Sequence, residues 1–234
     1  MPRVSILTLL LFILAPAPAL ADAAARERGT AALRAGDDAG AFEILAPLAD
    51  AGDAEAQFLV GLLYAQGRGV TQNFWQAGRY YRSAGEQGHA GAQVNLGSLY
   101  ENCYGNGPCN SEAAAAWYRR AADQDHPTGL YNLATMYASG HGVAEDEWSA
   151  RVLMRKAAEL GHAPAQYNLG VIYERGMGGP VQVVDAFAWY DTAARAGFEE
   201  AEAARERVAA SLDEASRSAA AALAERIRTL YLRD

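Results

Sequence analysis

Two cysteines, Cys103 and Cys109, lie six residues apart and are the only cysteines of the chain. In an oxidising compartment such a pair is expected to form a local disulfide. Closing so short a loop would contribute roughly 2.4 kcal/mol in the chain-entropy model. Two free thiols in a flexible loop are the alternative that the residues leave open. A metal or redox role is disfavoured, because the chain has no CxxC motif and no second pair of ligands.

Three of the four histidines, His89, His126 and His162, occupy the same place in a recurring phrase. In stacked repeats, equivalent residues lie about one repeat thickness apart, which is too far for shared ligands of one metal ion. We therefore predict no metal site. Each histidine is expected to follow the second helix of its unit and to interact with the terminal carbonyls.

Nucleophile motifs are absent from the sequence. It contains neither G-x-S-x-G nor H-E-x-x-H, the patterns of common serine hydrolases and zinc peptidases. Its single lysine, Lys156, is preceded three residues earlier by Leu153, so the S-x-x-K motif is missing too. Carboxylate pairs such as Glu199–Glu200 lie at helix starts or in turns, where the helix dipole already explains them. We predict a protein that is not an enzyme and that needs no cofactor.

Composition points to an all-helical protein. The 234 residues are 51% hydrophobic and 21% charged, with a formal net charge of −8. Alanine, the best helix former, dominates, whereas β-branched residues are scarce. The acidic balance, without any basic cluster, argues against nucleic-acid binding, which needs a positive surface for the phosphates.

Residues 1–21 have the pattern of an export signal. Arg3 gives the N-terminal region a single positive charge, Ser5 to Leu14 form an apolar segment, and Ala19-Leu20-Ala21 match a cleavage site. No later stretch reaches the length of a membrane span. The mature chain is therefore expected to be periplasmic or secreted, with no membrane span after cleavage.

A helical phrase recurs four times, and its copies start 36, 37 and 36 residues apart. A second phrase follows each copy, and a glycine-rich connector separates the two. A fixed period of this size is the signature of stacked repeats. The first phrases are AQFLVGLLY (56–64), AQVNLGSLY (92–100), GLYNLATMY (129–137) and AQYNLGVIY (165–173); the second are AGRYYRSAGEQGHA (77–90), AAAWYRRAADQDHP (114–127), ARVLMRKAAELGHA (150–163) and AFAWYDTAARAGFE (186–199).

Each unit is predicted to form a helical hairpin. In the first phrase a small residue precedes a tyrosine by three positions, so both lie on one helix face. We expect the small residue to admit a neighbouring helix and the tyrosine ring to fill the space beside it. Because one hairpin cannot bury its own apolar face, the units must stack and share a core. The small residues are Gly61, Gly97, Ala134 and Gly170, and the tyrosines are Tyr64, Tyr100, Tyr137 and Tyr173.

The predicted organisation has four parts: the signal peptide 1–21, a capping hairpin 22–53, the repeats 54–199, and a half-repeat with a capping helix at 200–234. Ser211 and Glu214 are expected to form a capping box at the start of the last helix. The four repeats have the boundaries 54–89, 90–126, 127–162 and 163–199.

These phrases resemble Sel-1-like repeats, relatives of the tetratricopeptide repeat. The likeness rests on the N-L-G-x-x-Y phrase, the G-x-G-V connector and the A-x-x-x-Y-x-x-A-A-x-x-G-H-A phrase. It covers residues 54–199. The resemblance implies an all-α, right-handed superhelical solenoid of antiparallel helix hairpins that binds other proteins without chemistry of its own.

By analogy with tetratricopeptide arrays, the first helix of each unit lines a concave groove that suits an extended peptide or a partner helix. Tyr131 and Tyr167 are the predicted anchors, since aromatic side chains give a large contact area at low entropy cost. Packing between repeats is the alternative role for both.

Asn95, Asn132 and Asn168 recur at one register of the first helix. An asparagine amide can both donate to and accept from a bound peptide backbone, so these residues are candidate partner contacts. Hydrogen bonds to the next helix or its connector are the alternative. Arg175 is the one basic residue well placed to assist them.

The favoured function is a non-catalytic extracytoplasmic scaffold or regulator that binds a partner protein or peptide in its groove. Its partners would be proteins of the cell envelope. By resemblance to exported relatives, the sensory domain of a membrane kinase is one example. The alternative is an exported cell-wall-active or β-lactam-interacting hydrolase built on the same repeats.

Overall fold

The chain folds as an array of helices. The structure is a computed structural model that describes residues 17–104 and 109–231, and within these ranges it contains twelve α-helices and no strand. Consecutive helices pack against each other along almost the whole array, so the expected all-α solenoid of antiparallel hairpins is confirmed. The helices are α1 (Ala17–Arg34), α2 (Asp38–Asp50), α3 (Ala54–Gln66), α4 (Phe74–Glu86), α5 (Ala90–Glu101), α6 (Ser111–Ala122), α7 (Pro127–Ser139), α8 (Glu147–Glu159), α9 (Ala163–Arg175), α10 (Val183–Arg195), α11 (Glu200–Ser211) and α12 (Glu214–Tyr231).

The first two helices form a hairpin ahead of the repeats. Residues 1–16 of the predicted signal peptide lie outside the described residues, and α1 begins at Ala17, within that segment. Asp37 caps α2 by accepting a hydrogen bond from the Gly40 amide. Leu45 and Leu48 of α2 are buried in the cluster that joins this hairpin to α3.

In three of the four repeat hairpins, an aromatic ring of the second helix covers a glycine of the first helix. A Cβ atom added to Gly97 would lie 2.6 Å from Cε1 of Tyr118, so only glycine fits there without movement. The same close approach joins Gly61 to Tyr81 and Gly170 to Tyr190. The expected close approach is therefore present, but the ring comes from the partner helix. The tyrosine three residues further along the first helix lies in or against the core clusters instead.

The third repeat uses a different combination at this contact. Alanine, Ala134, stands in place of the glycine, and Met154 stands in place of the aromatic ring; both are buried. The extra methyl group on the first helix thus accompanies an unbranched, flexible side chain on the second. Size at the two positions is matched within each hairpin.

Buried glutamines tie three of the four repeats to the unit that precedes them. Nε2 of Gln57 donates to the Ala49 carbonyl at 3.0 Å, and Gln93 and Gln166 make the equivalent bond to the preceding second helix. The other end of this amide is satisfied within the repeat, because Oε1 of Gln57 accepts from Gln87 at 2.9 Å. In the second repeat, Nε2 of Gln124 likewise donates to Oε1 of Gln93 at 2.8 Å.

The fourth repeat lacks this second bond. Ala196 occupies the place that Gln87 and Gln124 hold in the earlier repeats, and the buried Oε1 of Gln166 has no hydrogen-bond partner among the described residues. An unsatisfied buried acceptor destabilises the folded state. In the third repeat both positions are leucine, Leu130 and Leu160, so no polar group is left unpaired there.

Ala196→Gln is therefore expected to stabilise the protein by about 1 kcal/mol, because it restores the missing donor to Gln166. Ala196 is exposed and caps α10 as Gln87 caps α4, so the longer side chain has room. Chemical denaturation measures the gain. Gln124→Ala is the mirror control and should lose a similar amount; an unchanged midpoint for Ala196→Gln would contradict the assignment.

The connectors lock onto the second helix of the preceding unit. Gly142 has a φ of 73°, and a Cβ there would overlap the backbone of Ser111 at the start of α6. Gly69 and Gly178 make the corresponding approaches to the starts of α2 and α8. The first helices α3 and α9 are thus fixed at one end by a glutamine and at the other by their connector.

The last helix closes the array against α10. In the hairpin α9–α10 a tyrosine covers a glycine, but α12 packs on α10 instead of pairing with α11. Asp191 of α10, about 10% exposed, accepts from Arg195, Arg205 and Arg228, of which Arg228 lies on α12 at 2.8 Å.

The expected capping box at the start of α12 is wrong. Ser211 is the last residue of α11 and donates to the Val208 carbonyl. Asp213 caps α12 instead, accepting from the Ser216 amide at 2.7 Å. The last helix therefore begins at Glu214, two residues later than the serine–glutamate pattern implied.

Candidate functional site

Each repeating histidine lies between two helices, where it follows the last turn of one and precedes the first turn of the next. Nδ1 of His89 accepts a hydrogen bond from the Ala92 amide, and Nδ1 of His162 accepts from the Ala165 amide, so these rings cap α5 and α9. His126 holds the same place before α7 without such a bond. The expected contact with the carbonyls of the preceding helix is made by the backbone, since the amides of His89, His126 and His162 donate to the carbonyls of Ala84, Ala121 and Ala157. The rings of His89 and His162 lie over the next helix instead. Among the described residues no group of three or more His, Cys, Asp or Glu side chains could hold a metal ion.

Burial lowers the pKa of His126 and of His162. The charge of the preceding histidine in the series, His89 for His126 and His126 for His162, lowers each pKa further. A histidine whose pKa is lower in the folded state binds more protons when the chain is unfolded. The free energy of unfolding therefore falls as the pH drops through the unfolded pKa near 6.5.

We expect the free energy of unfolding to be lower at pH 5 than at pH 7.5. Unfolding in denaturant at the two pH values measures it. His162→Asn keeps a capping acceptor that does not titrate, so its pH dependence should be smaller; an unchanged dependence would contradict this origin.

Tyr131 lies between the third and fourth repeats. Its hydroxyl accepts a hydrogen bond from the Asn168 amide at 3.2 Å, and its ring lies 4.8 Å from that of His162. The side chain is half-buried against the central core cluster. Two predicted site residues, Tyr131 and Asn168, are thus brought into direct contact by the stacking of α7 and α9.

Tyr167 occupies the equivalent position one repeat further on. Its ring centroid lies 5.5 Å from Tyr190 and 5.2 Å from Phe198, and it too is half-buried. Arg175 lies exposed at the far end of the same helix, α9. The structure therefore places Tyr131 between two repeats, packs Tyr167 within the fourth repeat and leaves Arg175 at the surface.

The other two asparagines also meet tyrosine hydroxyl groups. Burial raises the pKa of Tyr81, and a hydrogen bond with Asn95 partly opposes the rise. Burial and the Glu101 carboxylate raise the pKa of Tyr118, whereas Asn132 lowers it in part. Each asparagine side chain consequently reaches an aromatic residue of another helix, and all three are only half-buried.

Two shallow cavities open between successive first helices. One, of about 220 Å³, lies between α3 and α5 and is lined in part by Leu62, Asn95 and Ser98. The other, of about 320 Å³, lies between α5 and α7 and is lined in part by Glu101 and Thr135. Small, polar and aliphatic side chains thus form the surface that the first helices present side by side.

Sequence reasoning missed the buried tyrosine–glutamate bonds beneath this surface. Tyr118 donates to Oε2 of Glu101 at 2.7 Å, and Tyr190 donates to Oε2 of Glu174 at 2.8 Å. Arg207 of α11 pairs with the same Glu174 and lowers the pKa of its carboxyl group. A glutamate directly after the tyrosine of the first phrase, in the second and fourth copies only, was the available signal.

The irregular second connector carries a disulfide between Cys103 and Cys109. Cys103 stands where the other repeats have a glycine, and its φ of 59° is in the left-handed region that those glycines adopt. The loop places Tyr104 on Phe74 of the preceding repeat, with ring centroids 4.5 Å apart. The structure thus contains the predicted cross-link, and the loop that it closes touches two repeats.

Among the described residues, no helix combines the length and the apolar character that a membrane crossing requires.

Comparison with known proteins identifies the repeats. The family model described as Sel1 repeat matches four consecutive segments, 54–89, 90–126, 127–162 and 163–198. These segments make up more than half of the chain. A search of curated proteins found none that matches.

Solved structures share the fold. A Sel1 repeat protein from Oxalobacter formigenes is 28% identical, with a TM-score of 0.75, over 86% of this chain and 82% of that one. The protein c5321, a protective antigen of uropathogenic Escherichia coli strains displaying an SLR fold, is 26% identical, with a TM-score of 0.56, over 82% of this chain and 49% of its own. The immunity protein Pa5087 from Pseudomonas aeruginosa is 19% identical, with a TM-score of 0.52, over 94% and 82% of the two chains.

Proposed function

The chain belongs to the Sel1 repeat family, and from that premise we propose that it is a non-catalytic scaffold or regulator that binds a segment of a partner protein. The binding surface is the groove formed by the first helices α3, α5, α7 and α9. The observation that carries the proposal is the pair of cavities between successive first helices, which are open to an extended segment.

The groove offers main-chain recognition together with aromatic anchors. Asn95 lines the cavity between α3 and α5, where its amide can pair with a peptide backbone. Tyr131 and Tyr167 add partly exposed rings further along, with Asn132 and Asn168 beside them. Rows of amides and rings on a rigid array suit an extended segment better than a compact ligand.

Arg175 adds a charge at the end of this row. It is exposed near the C-terminus of α9, where a guanidinium can pair with an acidic side chain of the partner. A segment that is mainly apolar with an acidic residue at one end therefore fits the groove best.

The disulfide supports an oxidising, extracytoplasmic location. In that compartment the partners would be proteins of the cell envelope, and the sensory domain of a membrane kinase is one candidate. This location also agrees with the export pattern of residues 1–21.

Site-specific photo-crosslinking in the native cell tests the groove. A photoreactive residue at Ser98 or Thr135, each in a cavity wall, is expected to trap one partner protein. The same residue at Lys156 of α8, a second helix whose lysine is about half exposed, is the matched control and should trap nothing.

Tyr131→Ala with Tyr167→Ala is expected to reduce the crosslinked product at least tenfold while far-ultraviolet circular dichroism stays unchanged, since aromatic anchors dominate such interfaces. Arg175→Glu, an exposed change, should weaken the product without affecting folding. Equal crosslinking from the groove positions and from Lys156 would contradict the groove assignment. Undiminished crosslinking in the double tyrosine variant and in Arg175→Glu would contradict it as well.

A further inference from the structure

A cavity of about 370 Å³ lies outside the proposed groove, between the second helix α4 and the first helix α5. Aromatic rings from Trp75, Tyr100 and Tyr104 contribute to its wall. Phe74, Leu99 and Tyr104 also line the neighbouring cavity between α3 and α5, so the two lie back to back. None of the sequence patterns discussed above pointed to this place.

The cavity exists because of a glycine that is specific to the first repeat. Gly78 lies in its wall, and a Cβ built there has only Leu99 as a neighbour, at 3.5 Å. The corresponding positions of the later repeats carry side chains: Ala115, Arg151 and Phe187. Phe187 packs against the core of the last repeat. The space that a larger residue fills elsewhere is thus left open between the first and second repeats.

Two guanidinium groups give this cavity a positive character. Arg79 lies 5.4 Å from the ring of Trp75, and Arg82 lies 5.9 Å from that of Tyr100. Within the described residues their hydrogen bonds go to uncharged groups, the Gln76 amide oxygen and the Tyr100 hydroxyl. No acidic residue is among those that line the cavity. In a chain with a net charge of −8, such a site attracts an anion.

Shape and charge together define the ligand. Guanidinium groups bind carboxylates through charge-assisted hydrogen bonds, and the aromatic wall suits an apolar group attached to that carboxylate. A helix, about 10–12 Å wide, does not fit such a small cavity, whereas the end of an extended chain does. We propose that the cavity between α4 and α5 binds the C-terminal carboxylate of a protein chain that ends in an apolar residue.

Arg79 is the discriminating residue of this site. Arg82 belongs to a pattern that repeats along the array, since Arg119 donates to Tyr137 at 3.0 Å as Arg82 does to Tyr100. No other repeat has an arginine at the position of Arg79; alanine, valine and alanine stand there. The proposed carboxylate contact therefore depends on Arg79 and on the space that Gly78 leaves.

Isothermal titration of the purified chain with the peptide acetyl-Ser-Gly-Ala-Phe tests the proposal. The peptide with a free carboxylate is expected to bind at least tenfold more tightly than the same peptide as a C-terminal amide. It should also bind at least tenfold more tightly than 3-phenylpropanoate, which has the same terminal chemistry without a chain. Equal binding of acid and amide would overturn the carboxylate assignment, and equal binding of 3-phenylpropanoate would overturn the assignment to a protein chain end.

Variants locate the binding. Arg79→Gln is expected to weaken the free-acid peptide at least tenfold, and Gly78→Phe, which copies the fourth repeat, should abolish binding. Arg119→Gln is the matched control: it removes the same charge beside a tyrosine that lines none of the three cavities described above, so affinity should not change. If Arg79→Gln bound normally, the proposal would fail even where Gly78→Phe did not fold. Tyr131→Ala with Tyr167→Ala should leave peptide affinity intact, which separates this site from the groove.

Discussion

Gly97→Ala is expected to lower the free energy of unfolding by about 2 kcal/mol, although alanine is the better helix former. The added Cβ would lie 2.6 Å from the Tyr118 ring, which is buried and bonded to Glu101. The ring must move, and the hairpin α5–α6 must open slightly. For a chain of this size the change corresponds to a fall in Tm of roughly 4–8 °C, which differential scanning calorimetry measures.

Gly78→Ala is the matched control for this prediction. It makes the same substitution inside a helix, but the new Cβ meets only Leu99 at 3.5 Å. Its helix propensity gain of up to about 1 kcal/mol should therefore appear as a small stabilisation. If both substitutions shifted Tm in the same direction, close packing against Tyr118 would not be the cause.

The third repeat suggests how the damage can be repaired. It carries Ala134 and Met154 at the two positions that hold Gly97 and Tyr118 in the second. We expect Gly97→Ala combined with Tyr118→Met to be at least 1 kcal/mol more stable than the sum of the two single effects, because neighbours that share a contact are not additive. A double-mutant cycle measures this coupling. Strict additivity would mean that the two positions do not sense each other.

Asp191→Ala is expected to cost about 2–3 kcal/mol and to release α12 from the end of the array. Asp191 is nearly buried and accepts from arginines on three helices, and removing this shared carboxylate deprives partly buried guanidinium groups on α11 and α12 of their ion pair with α10. Limited proteolysis with trypsin should then cut α12 faster, for example at Arg217.

Glu225→Gln is the control for that experiment. Glu225 pairs with Arg228 as Asp191 does, but its side chain is 69% exposed. Exposed ion pairs contribute little, so the change should stay within about 0.5 kcal/mol. Equal proteolysis rates for wild type and Asp191→Ala would show that α12 is held by its apolar face alone.

Much of the fold could be predicted from the sequence, because the stacking of hairpins follows from a residue pattern that recurs at a fixed spacing. The small residues, connector glycines and second-helix alanines recur at a fixed period, and they all lie where helices approach closely. What spacing did not show is which helix supplies a contacting group. The ring over Gly97 comes from the other helix of the hairpin, and His89 and His162 cap the helix that follows them.

The candidate sites were harder to predict, because they depend on where the repeats differ. The groove residues Tyr131 and Asn168 were identified separately, and their mutual hydrogen bond follows only from the stacking of α7 on α9. The cavity beside Arg79 arises from one glycine that breaks the pattern. Asp191 is a similar exception: it replaces the arginine of the earlier second phrases at the point where the array ends.

The glycine–ring contact joins two helices of the same hairpin, and so does the glutamine pair Gln57–Gln87. The two partners of each contact are therefore duplicated or lost together when a whole unit is duplicated or lost. A gene that gains or loses a unit between Gly88 and His89 keeps every matched pair, whereas a crossover inside a connector can set Ala134 against a tyrosine or Gly97 against a methionine. Lineages of this protein should accordingly vary in length by complete hairpins of 36 or 37 residues, the spacing seen here.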